Sequence, residues 1–136
     1  MYLTHTRPDL SFVVGLVSQF MQNPHESHWK LAKRIIRYVQ GTVQFGIHYS
    51  AKESPLLVGF TNSDWVGDPD DWKSTASYVF TLGLGPITWA CKKQAAISLS
   101  SAEVEYRGAV EASKEALWLH QILSNFGFQQ QHPTTL

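Results

Sequence analysis

The sequence predicts an α+β protein in which two amphipathic helices precede short antiparallel strands packed on one long helix. Three observations carry this. Apolar residues recur every three or four positions from about Asp9 to Gln22, from Asn23 to Gly41 and from Ser101 to Phe126. Between Gly41 and Lys92 the period shortens to two, and Gly83, Gly85 and Pro86 interrupt that stretch as a turn would. Finally, 136 residues are enough for one domain with a core, and a charged share of 16% against a hydrophobic share of 43% excludes a disordered polyelectrolyte.

Leu10, Val13, Val14, Val17, Phe20 and Met21 share one side of the first helix, which Thr6-Arg7-Pro8-Asp9 starts. Asn23 is the expected cap of the second, with Pro24 in its first turn, Glu26 completing a capping box and Gly41 as the stop. On it Trp29, Ala32, Ile35, Ile36 and Val39 form an apolar face, and Lys30, Lys33, Arg34 and Arg37 form the opposite, cationic one. Val43, Phe45, Ile47 and Tyr49 then alternate with polar residues and glycine, which predicts a strand; Leu56 to Thr61 predicts another. Thr75–Leu82 and Ile87–Lys92 read as a hairpin, antiparallel because the connection is short. Ser100, with Glu103 three residues on, opens the last helix. Its apolar side is read as Ala102, Tyr106, Ala109, Val110 and Leu117, with Ser113 inside the stripe and Gly127 as the stop. The organisation read along the chain is therefore a helical part over 1–50, a strand-and-helix part over 56–128 and a linker over 129–136.

Eleven basic and eleven acidic groups cancel, but unevenly along the chain. Residues 1–53 carry six basic groups against three acidic ones, and residues 54–73 carry four aspartates against Lys73 alone. A basic block before an acidic cluster suits polyanion binding in one place and cation binding in another; solvated surface is the plainer reading. Cys91 stands alone, which excludes an internal disulfide and a C-x-x-C pair. Met1 to Arg7 lacks the apolar core of an export signal, and Ser74 to Cys91, although uncharged, is broken by glycines and proline, so an intracellular chain with no membrane span is expected.

Four groups of residues are candidates for chemistry. Glu105 falls about 80° from the centre of the expected apolar stripe and about 135° from the centre of the charged side formed by Arg107, Glu111, Lys114 and Glu115. A carboxylate turned toward a sheet calls for a partner or a metal; the alternative is a boundary glutamate reaching water. Asp64, at the end of a predicted strand, is the better oxygen ligand for a hard cation such as magnesium, while Asp68, Asp70 and Asp71 read as turn chemistry. Lys30, Lys33, Arg34 and Arg37 suit a nucleic-acid backbone or a solvated helix face. His25 and His28 lack an evident third metal ligand, and Ser100 and Ser101 lie in no G-x-S-x-G elbow.

Several blocks together resemble the Pol polyprotein of copia-type retrotransposons, where reverse transcriptase meets ribonuclease H. Tyr2-Leu3-Thr4-His5-Thr6-Arg7-Pro8-Asp9, Ser18-Gln19-Phe20-Met21 and Arg34-Ile35-Ile36-Arg37-Tyr38-Val39-Gln40-Gly41-Thr42 are similar to the end of the reverse transcriptase and its connection. Asp64-Trp65-Val66-Gly67-Asp68, Lys73-Ser74-Thr75, Ile87-Thr88-Trp89, Lys92-Lys93-Gln94 and Ser100-Ser101-Ala102-Glu103-Val104-Glu105-Tyr106 are similar to the ribonuclease H part.

The resemblance implies an incomplete ribonuclease H-like fold, with Mg²⁺ as cofactor and an RNA–DNA hybrid as substrate, cleaved between carboxylates that hold two ions. It places Glu105 on the family's helix glutamate, the first aspartate at Asn62, and the second acidic position at Asp64. A neutral amide at Asn62 removes one negative charge from that cluster. The family's further aspartate, in an Asp-Asn motif on a fourth strand, has no match before Leu136. The expectation is thus a fragment or degenerate copy, inactive alone and partnered by the rest of the polyprotein. Residual Mg²⁺-dependent cleavage and non-catalytic nucleic-acid binding are its alternatives.

Overall fold

The computed structural model describes residues 2–50, 56–65 and 72–136. They form two compact units, Met1–Ile47 and His48–Leu136. The first contains α1 (Tyr2–Thr6), a 3₁₀ turn (Pro8–Leu10), α2 (Ser11–Ser18) and α3 (Glu26–Gly41). The second contains β1 (Leu57–Asp64), β2 (Thr75–Leu82), β3 (Gly85–Lys93) and α4 (Ser101–Asn125).

In the first unit the apolar stripes of α2 and α3 are only half covered, and Leu10 is the one buried hydrophobic residue among those described. Polar contacts do much of the holding. Arg7 donates from Nε and Nη2 to the two carboxylate oxygens of Asp9, at 3.0 and 2.7 Å. It also donates from Nη2 and Nη1 to the hydroxyl and carbonyl oxygens of Thr42, at 2.9 and 3.3 Å. Tyr38 donates its phenol to Asp9 at 3.0 Å, so the turn before α2 is tied to the end of α3. These donors, Arg7 first, hold the Asp9 carboxyl below its ordinary range.

Two helix boundaries differ from expectation. The first helix, expected to reach Gln22, ends at Ser18, where the Ser18 hydroxyl donates to the Gly15 carbonyl at 2.7 Å and the following amides make tighter, three-residue bonds. The second starts at Glu26 with His25 rather than Asn23 as its cap, because His28 Nδ1 accepts the His25 amide at 3.1 Å and fills the role expected of Glu26. The strand expected over Val43–Tyr49 is absent. Alternation alone does not make a strand without a ladder to join. Val43 and Phe45 are exposed, while Tyr49 covers Gly85 and donates to the Pro86 carbonyl at 2.7 Å.

In the second unit the three strands run antiparallel in the order β1-β2-β3. Register runs from Leu57 opposite Leu82 to Asp64 opposite Thr75, and from Thr75 opposite Lys93 to Phe80 opposite Thr88. The ladder slips between Phe80 and Thr81, next to Pro86, which has no amide to donate. Leu57 and Phe80 pack on Ala112, Ala116, Leu119 and Leu123 of α4.

That packing corrects the face assigned to α4. Its buried residues are Val104, Gly108, Ala112, Ala116, Leu119 and Leu123, and the centre of this stripe lies about 125° from the one expected. Tyr106 and Leu117, expected inside, are 72% and 73% exposed. Small residues repeated every four positions let the helix approach the sheet, so the bulky residues were the wrong guide. A Cβ on Gly108 would collide with the Ser63 hydroxyl.

Candidate carboxylate site

Strand β1 continues through Asn62 to Asp64, so these two side chains point the same way. Alternation decides which way. Ser63 lies between them and turns its hydroxyl toward Gly108 of α4, where Oγ is buried without a hydrogen-bond partner among the described residues. Asn62 and Asp64 therefore project from the opposite face, both exposed.

Glu105 lies on α4, one turn before Gly108, and is exposed. The other carboxylates of α4 are engaged. Glu103 accepts the Leu99 amide at 2.9 Å and Arg107 at 2.7 Å; the amide first and then Arg107 hold it below its ordinary range. Glu111 pairs with Lys114 at 2.6 Å. Glu115 accepts the Thr88 hydroxyl at 3.0 Å, and the Tyr78 phenol is pushed up by burial and then by the charge of Glu115. Glu105 alone among them has no hydrogen-bond or ion-pair partner among the described residues. Glu115, read as solvent-facing, thus borders the sheet, whereas Glu111 is exposed as expected.

The helix start that carries Glu105 is fixed by residues the sequence did not mark for this role. Gln94 donates its amide nitrogen to the Val104 carbonyl at 3.2 Å, accepts the Ser98 hydroxyl at 3.3 Å, and bonds through its own N–H to the buried Ser74 at 2.7 Å. Trp65 reaches the Ser98 carbonyl from the end of β1 at 3.5 Å. Their one signal in the sequence is that Lys92-Lys93-Gln94 and Lys73-Ser74-Thr75 resemble the ribonuclease H part of the family.

Among the described residues no three His, Cys, Asp or Glu side chains converge as metal ligands. Asp68, Asp70 and Asp71 lie outside the described residues. His28 serves the cap of α3 and stacks on Phe20 with ring centroids 3.9 Å apart. Ser100 caps α4 by accepting the Glu103 amide at 3.2 Å. The cations of α3 are exposed: Lys30 pairs with Glu26 at 2.9 Å, and Lys33 lies 5.0 Å over the Trp29 ring. No helix among the described residues is long and apolar enough to cross a membrane.

Fold and site together define an α+β chain whose three-stranded antiparallel sheet is backed by a long helix, on which Glu105 has no partner among the described residues. No protein-family model matches it, and no solved structure does. Curated proteins do. It is 41% identical over 135 residues to the retrovirus-related Pol polyprotein from transposon RE2 of Arabidopsis thaliana, covering 99% of this chain and 9% of that protein. It is 41% identical over 125 residues to the Pol polyprotein from transposon TNT 1-94 of Nicotiana tabacum, covering 92% of this chain and 9% of that one. A secreted RxLR effector protein, number 161, of Plasmopara viticola is 43% identical over 114 residues, which cover 84% of this chain and 80% of the relative. The chain belongs to the copia-type retrotransposon Pol family, and it spans about a tenth of the length of the transposon polyproteins it matches.

Proposed function

We propose that residues 57–125 are a ribonuclease H-related part of a Pol polyprotein that does not catalyse hydrolysis by itself. The observation that carries this reading is Asn62 at the position where the family resemblance calls for the first aspartate. Two Mg²⁺ ions bridging one phosphodiester need several anionic oxygens facing a common point. Here an amide replaces one of them. Asn62 and Asp64 project from one face of the sheet, whereas Glu105 comes from the helix packed on the other. This donor set does not fit a pair of Mg²⁺ ions, so no hydrolytic step is assigned to the chain.

The direct test incubates the purified chain with a labelled RNA–DNA hybrid and Mg²⁺. The expected rate is that of the buffer blank. Cleavage abolished by Glu105→Gln would overturn the reading, because it would trace hydrolysis to this site rather than to a contaminant.

A second reading, compatible with the first, is that α3 contacts a nucleic-acid backbone. Exposed Trp29 under Lys33 supports it, since an aromatic face beside a cation suits bases as well as phosphates. Replacing Lys30, Lys33, Arg34 and Arg37 by alanine is expected to weaken hybrid binding and flatten its salt dependence. An unchanged slope would reduce the stripe to solvated surface.

A further inference from the structure

The turn between β2 and β3 carries one exposed side chain and one covered glycine. Leu84 at its tip is 78% exposed, and Gly83 takes the left-handed conformation (φ 61°) that so tight a reversal demands. Gly85, which opens β3 opposite Leu82, is nevertheless buried. Its cover is the ring of Tyr49, whose Cδ1 and Cε1 edge fills the space that a Cβ on residue 85 would take. The Tyr49 phenol donates to the Pro86 carbonyl at 2.7 Å, beside the place where the β2–β3 register slips.

Both contacts come from irregular backbone. Residues 45–50 form neither helix nor strand, so the alternation that ends at Tyr49 delivers one ring to the sheet instead of a ladder. His48 and Ser50 are exposed on either side of it, and Tyr49 itself is 58% exposed. The ring is seated on one side and wet on the other. A neutral hydrogen bond is worth about a fivefold change in an equilibrium, and partial burial of a ring adds a factor of similar order.

The sheet beneath is held far more strongly, since Phe80 is wholly buried and packs with Leu57 on α4. The same turn also meets the chain at Leu56, whose carbonyl accepts the Gly83 amide at 3.0 Å. That bond extends the β1–β2 ladder, in which Leu57 faces Leu82, and so belongs to the sheet. The Tyr49 seat does not, and the two come apart at different costs. We propose that Tyr49 is a latch on the β2–β3 turn: with its ring over Gly85 and its phenol on Pro86 it pins residues 48–50, and its release frees them while the sheet stays folded.

Three resonance measurements on the whole chain test this. A ring over Gly85 displaces the glycine Hα resonances by its ring current and so reports the seat; backbone nitrogen relaxation of residues 48–50 reports the strap, and exchange of the Gly83 amide reports the sheet. In the unaltered chain the Gly85 resonances should be displaced and residues 48–50 ordered. Tyr49→Phe keeps the ring but loses the hydrogen bond, and the ratio of seated to free ring should fall about fivefold. Gly85→Ala puts a methyl in the seat and Tyr49→Ala removes the ring; each should free residues 48–50 and leave Gly83 exchange unchanged. Residues 48–50 as mobile in the unaltered chain as in Tyr49→Ala overturn the proposal, and so does a Gly85→Ala in which they stay ordered. Gly83 exchange that accelerates about tenfold in Tyr49→Ala also overturns it, because the ring would then be part of the sheet. Should Gly85→Ala fail to fold, Tyr49→Phe decides: a depleted seat supports the latch, and an undiminished one overturns it.

Discussion

Residues 2–47 and 48–136 use amphipathic sequence in opposite ways. α3 divides its apolar and cationic residues more sharply than α4 does, yet buries none of them, whereas α4 buries six. In the first unit a cluster of charged hydrogen bonds around Arg7 and Asp9 joins the helices; in the second, Leu57, Phe80 and the small-residue stripe of α4 form a closed apolar core. Periodicity thus reports which side of a helix is apolar, and burial depends on what lies opposite it.

The largest expected effect is on the core of the second unit. Phe80 is fully buried, and Phe80→Ala should cost about 3–5 kcal/mol, read as a drop in denaturation midpoint. If the midpoint barely moves, the contrast between the units fails. Gly108→Val should cost about 1–3 kcal/mol, because β1 must retreat from the added methyls at its contact with Ser63.

Acid should act on the first unit through Asp9. Its folded-state carboxyl titrates below its unfolded value, so its contribution is complete above the unfolded pKa of about 4 and is lost as pH falls through the lower folded one. Helical signal from residues 26–41 should weaken across that window, and Asp9→Asn should remove the dependence. Glu103 follows the same sign at the start of α4. At the alkaline end, burial raises the Tyr78 phenol, so its contribution holds below the unfolded pKa of about 10 and is lost as pH rises through the folded one. The smallest effect belongs to Lys30→Ala: its pair with Glu26 is exposed, and stability should change by less than about 0.5 kcal/mol.

Local chemistry was legible in the sequence. Ser100 and Glu103 begin α4 as expected, Thr75–Leu82 is a strand with the bounds read for it, and the stop at Gly41 holds. The face of α4 was not legible, because Gly108, Ala112 and Ala116 carry little hydrophobic weight and matter through closeness to the sheet. Nor was the fate of Val43–Tyr49, whose alternation is strand-like but has no ladder. His25 was weighed as a metal ligand and not as the cap, because histidine is uncommon there. The tail read as a linker over 129–136 contacts residues more than seventy positions away, and no local pattern encodes that. At the candidate site, Glu105 was singled out by spacing and resemblance together, while the placement of Asn62 on the sheet face away from α4 depends on register.

The central claim is that the oxygens left at Asn62, Asp64 and Glu105 do not gather Mg²⁺. Titrating the chain with millimolar Mg²⁺ while following the backbone amide resonances of these three residues tests it most directly. The shifts should grow linearly and weakly across the titration. Shifts that saturate together at all three residues, and that vanish in Glu105→Gln, would contradict it.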